Sequence, residues 1–127
     1  MTYCVGLALD EGLVVLSDTR TNAGVDHIST FAKSYVFEKP GERALVLTTA
    51  GNLAISQAVI NLLNEGIENP TTGKQETLFD TPTMFRTAAL VGAAIRRVFK
   101  YDAEALGAQG VKFDVSFLVG GQIDGRP

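Results

Sequence analysis

The apolar residues of this chain change their spacing near residue 50, and that change most constrains the fold. Before it they follow the two-residue period of strands; from residue 52 they follow the period of a helix, until a last strand at 113–119. Residues 2–9 alternate small side chains (Cys4, Gly6, Ala8) with larger ones (Tyr3, Val5, Leu7, Leu9), so the two faces of this strand pack differently. Asp10-Glu11-Gly12 predicts a tight turn and residues 13–18 a returning strand, which makes a hairpin. Residues 21–29, with Asn22, Gly24 and Asp26, are expected to be a loop. Residues 33–37 and 44–49 read as strands around a turn at Lys39-Pro40-Gly41-Glu42.

From residue 52 to 65, Ile55, Ala58, Val59, Leu62 and Leu63 recur at helical spacing, and Gly66 is the expected stop. Residues 69–81 are polar and predict a surface loop. Thr81-Pro82 is expected to start a second helix, with proline at its first position and an end near Tyr101. Its small middle, Ala88 to Ala94, allows close approach of another element, and residues 113–119 predict a buried strand. Asp124-Gly125 then reads as a hairpin turn, which implies a return strand. The expectation is an α+β domain of which residues 1–127 are the N-terminal portion.

Composition removes several function classes. A net charge of −3 gives no basic footprint for nucleic acid. No apolar stretch reaches the roughly 18 residues that a membrane helix needs, and the start lacks the pattern of a secretory signal. With one cysteine, Cys4, the chain forms no intrachain disulfide, which fits a reducing cytoplasm. There is no Cys/His cluster for zinc, and the single histidine, His27, sits in a polar loop.

Chemistry concentrates in Thr2, Asp18, Lys33 and Gly51. Once Met1 is removed, Thr2 carries a nucleophilic hydroxyl and, in its own α-amine, a base. That amine titrates near pH 7.7–8.0, about 2.5 units below a lysine, which suits a general base at neutral pH. Lys33 would place a positive charge beside hydroxyl and amine, and Asp18 is its obvious partner. Gly51, where the strand period gives way to the helical one, is a candidate oxyanion donor through its N–H. With Met1 attached the Thr2 nitrogen is an amide and the site is off. Cys4 reads as a small core residue, and Arg96, Arg97 and Lys100 as a basic patch late in a helix.

In that order, the strand opening at Thr2, Asp18 in Ser-Asp-Thr-Arg, Lys33 and the Ala50-Gly51 helix entry resemble a proteasome β-type subunit. Those are N-terminal nucleophile hydrolases, and residues 18–26 with 28–31 are most similar to the bacterial proteasome-like Anbu subunits. The resemblance implies a four-layer αββα sandwich, only about half of it in this chain. It implies Thr2 as nucleophile, Lys33 as activating charge, Asp18 as its partner and Gly51 as oxyanion donor. It also implies a cleft lined by Thr19, Arg20, Thr21, Asn22 and Ala50, a peptide or protein substrate, no cofactor, and like subunits in a ring or open helical stack. A non-catalytic ring or scaffold subunit, and a specialised amidase or amide ligase, remain alternatives on the same fold.

Overall fold

The structure is a computed structural model that describes residues 3–22, 28–30, 33–108 and 114–126. It is a mixed protein of antiparallel sheets and two helices. Strands β1 (Cys4–Leu9) and β2 (Gly12–Ser17) form the expected hairpin, with Cys4 opposite Ser17 and Gly6 opposite Val15. β3 (Arg20–Asn22) and β4 (Ile28–Thr30) form a short ladder. The expected loop at 21–29 is thus partly strand: the polar composition hid the backbone pairing. β5 (Ser34–Lys39), β6 (Arg43–Gly51) and a late strand given below make one three-stranded sheet.

Helix α1 (Leu53–Glu65) is capped as its sequence asks. The Asn52 side chain accepts the Ile55 N–H at 3.1 Å, and Gly66 ends the helix at φ 104°, a conformation costly for any residue with a Cβ. Part of the expected loop at 69–81 is also paired, as β7 (Ile67–Glu68) meets β8 (Gln75–Glu76). Helix α2 (Met84–Ala108) starts two residues later than proline at its first position would require, and runs past Tyr101. The Thr83 hydroxyl explains the start, because it accepts the Arg86 N–H and so is the cap; Pro82 stays outside. Buried Arg43 holds the approach to this cap, donating to the carbonyls of Leu78 and Thr81 at 2.9 and 2.8 Å. β9 (Val115–Ile123) completes the order β5-β6-β9, and a turn at Asp124-Gly125 with positive φ at both residues bridges Ile123 to Arg126.

Alternation along β6 divides the protein into layers. Leu45 and Leu47 point to one face and join Ile55, Val59 and Leu63 of α1 with Leu90, Ala94 and Val98 of α2. The opposite face, which carries Val46 and Thr48, receives the hairpin: a Cβ on Gly120 would strike the Leu13 side chain, and Gly6 lies against Leu118. Cys4 and Gly6 of β1 lie toward the sheet, so the two faces of the strand pack differently, as their alternation suggested. The outer face of the hairpin presents Leu7, Leu9, Val14 and Leu16, each about half exposed or more. A second helix layer is not among the described residues. Leu63 is fully buried where α1 meets the sheet. Leu63→Ala is expected to cost about 2–5 kcal/mol, read from the urea midpoint; a change under 1 kcal/mol would place the core elsewhere.

Candidate active site at the Asp18–Lys33 pair

Asp18 follows the last residue of β2, and Lys33 precedes the first residue of β5. The sandwich of hairpin on sheet brings them together from different layers, and Lys33 Nζ donates to Asp18 Oδ1 at 3.0 Å. Lys33 is only 6% exposed, so its charge must be matched, whereas the Asp18 side chain keeps about a third of its surface in water. The hydrogen bond from Lys33 holds the Asp18 carboxyl below the ordinary carboxylate range; partial desolvation opposes this and the Tyr3 amide reinforces it.

The same Oδ1 also receives the Tyr3 backbone N–H at 3.4 Å, while the Asp18 N–H donates to Tyr3 O at 3.1 Å. The Tyr3 nitrogen is the amide that joins Tyr3 to Thr2. Thr2 itself lies outside the described residues, as do Ala23 to His27. What the structure brings together is therefore Asp18, Lys33 and the backbone immediately after the expected nucleophile.

Gly51 differs in one respect from the reading of its sequence. It closes β6 rather than opening α1, because Asn52 takes the cap. Asn52 N donates to Asp114 O in β9's direction and Thr49 N to Lys33 O in the other, so strand alternation turns the Gly51 N–H to the β5 side of the strand. Gly51 sits at φ 102°, and a Cβ there would run into the Asp114 carbonyl. Gly51→Ala is expected to destabilise the protein by about 1–3 kcal/mol, measured by chemical denaturation, through strain at this φ; unaltered stability would mean that the strand end can relax.

Of the expected cleft residues, Thr19 is exposed beside Asp18, and Ala50 is half-buried in β6 opposite Ser116. Arg20, Thr21 and Asn22 form β3, paired to Thr30, Ser29 and Ile28. Among the described residues no group of three or more His, Cys, Asp or Glu could hold a metal ion, and no helix is long and apolar enough to cross a membrane. Sequence reading missed the hydroxyls that surround the pair. Ser17 and Ser34 have their Oγ atoms 2.6 Å apart, and the half-buried Cys4 has its sulfur 3.7 Å from Thr49 O. Each contact joins two layers, and no local pattern reveals which strands will stack.

Comparison with solved structures places this geometry among known relatives. A structure described as a helical assembly of the Anbu complex from Pseudomonas aeruginosa matches all of the chain at 46% identity and TM-score 0.84, over 50% of its own length. Anbu from Yersinia bercovieri, described as an ancestral β-subunit, matches 99% of the chain at 41% identity and TM-score 0.80, over 49% of its length. A mutant form of Anbu from Hyphomicrobium sp. strain MC1 gives 43% identity and TM-score 0.82, again over 49% of its length. The chain thus spans about half the length of the solved structures it matches. No family profile and no curated protein matches it.

Proposed function

We propose, from the premise that this chain belongs with the Anbu proteasome-like subunits and covers about half of one, that it carries the nucleophile half of a threonine-type amide hydrolase. The observation that carries the reading is Asp18 Oδ1, which accepts from Lys33 Nζ and from the Tyr3 amide together. A cation held at the backbone bond next to Thr2 is what an N-terminal nucleophile needs.

Chemistry then follows from four groups. Thr2 Oγ attacks the carbonyl carbon, and its proton passes to the Thr2 α-amine. The Lys33 charge disfavours permanent protonation of that amine and favours the alkoxide-like oxygen. The Gly51 N–H donates to the oxyanion of the tetrahedral intermediate. Collapse returns the proton to the leaving amine and leaves an ester on Thr2. Water, activated by the α-amine, then releases the acid. Peptide or protein is the substrate, met in the cytoplasm at a cleft that includes Thr19, Arg20, Thr21, Asn22 and Ala50. The apolar outer face of the hairpin supports the fold half of the proposal: Leu7, Leu9, Val14 and Leu16 are where the second helix layer of a four-layer αββα sandwich packs. Like subunits stack as partners, in keeping with the helical assembly of the Pseudomonas aeruginosa relative.

The test is intact mass and N-terminal sequencing of the intact protein, before and after an epoxyketone probe that needs both a hydroxyl and a free amine. One probe adduct on a chain that begins at Thr2 is expected. A chain that begins at Thr2 and takes no adduct would leave a non-catalytic subunit as the better reading.

A further inference from the structure

Behind the ion pair lies a set of hydroxyls that the chemistry above does not use. Ser17 immediately precedes Asp18, and Ser34 immediately follows Lys33. Their Oγ atoms are 2.6 Å apart, a normal O–H···O hydrogen bond. The strands that carry them belong to separate sheets, so no backbone ladder sets where Asp18 meets Lys33. Side chains must do it.

A third hydroxyl adjoins this bridge. Thr48 is the register partner of Ser34. Because Thr49 N donates to Lys33 O, the Ser34–Thr48 pair is of the non-hydrogen-bonded kind, in which side chains on one face come closest. Thr48 is 1% exposed, and its Oγ1 has no hydrogen-bond partner. A buried hydroxyl in that position asks for one, and a bound water between polar groups is the usual answer.

We infer that Ser17, Ser34 and Thr48 form an inter-layer positioning network that holds Asp18 against Lys33, with Thr48 Oγ1 seating a water beside Ser34. Its effect on catalysis rests on the Thr2 reading; its effect on Asp18 does not. With the bridge in place, the strand ends that bear the two charges keep one relative position. Without it they can slip, and displacements of about 1 Å at a reacting group cost on the order of 100-fold in rate.

Near-isosteric pairs separate the hydroxyl from its shape. In the intact protein, Ser34→Thr and Ser34→Val, with Ser17→Thr and Ser17→Val, are compared by NMR titration of the Asp18 carboxyl, alongside Thr48→Val. The valine variants are expected to move the Asp18 midpoint upward, and the threonine variants to hold it near wild type. Combining Ser17→Val with Ser34→Val should add nothing to the larger single shift. Labelling of Thr2 should slow by about tenfold or more in the valine variants only. Equal Asp18 titration in each threonine–valine pair would overturn the network, as would a Thr48→Val protein with Asp18 unmoved. The titration is repeated with Thr2→Ala: a shift that persists there without any labelling in wild type would count against the Thr2 reading and leave the network standing.

Discussion

Thr2→Ala is expected to abolish amide hydrolysis and probe labelling while leaving fold and assembly unchanged. The expected loss is about 10⁴-fold or more, because one residue supplies the nucleophile and, through its amine, the base. Alanine keeps the amine and removes only the hydroxyl, so this variant isolates the nucleophile. The Asp18–Lys33 hydrogen bond and both Tyr3–Asp18 contacts use atoms other than the Thr2 side chain. Thr2→Ser should retain activity, since it preserves both groups. Turnover of a peptide substrate, mass spectrometry of the probe adduct and the sedimentation profile of the assembly check the three parts. Undiminished turnover in Thr2→Ala would remove Thr2 as nucleophile and, with it, the role given to Lys33.

How much of this was legible in the chain depends on the distance over which each feature is decided. The hairpin of β1 and β2, the start of α1 at Asn52 and its stop at Gly66 are set by neighbours within a few residues, and they stand where the sequence puts them. The start of α2 was misjudged by a local rivalry, because a threonine cap at Thr83 prevails over proline at its first position. β3, β4, β7 and β8 are short ladders in mostly polar segments, where no two-residue apolar period marks a strand. In the site, Asp18 with Lys33 was legible as a chemical complement, an acid and a cation at the ends of two expected strands. The Ser17–Ser34 bridge and the partnerless Thr48 were not, because serine and threonine are unremarkable until two layers bring them together. Gly51 shows the intermediate case. Its need for a side-chain-free backbone was readable; that it closes a strand was a matter of register.

Asp18→Asn carries the second large effect, on stability and activity at once. Lys33 is almost fully buried, and asparagine replaces its charged acceptor by a neutral one that binds about half as strongly. Weakening the partner of a buried charge destabilises the fold, and loss of a fixed electrostatic group at the site costs about 10²–10³-fold in turnover. The pH dependence has a definite sign. The folded Asp18 carboxyl titrates below its unfolded value of about 3.9, chiefly through the Lys33 hydrogen bond. Its contribution is therefore fully present above the unfolded value and is lost as pH falls through the folded one. Urea unfolding at neutral and at acid pH should show a wide stability gap between wild type and Asp18→Asn that closes on acidification. Added salt should narrow it at neutral pH, because about a third of the Asp18 side chain faces water. A gap that stays constant across pH would mean that Lys33 does not depend on the charge of Asp18, and the site would then need another source of order for its cation.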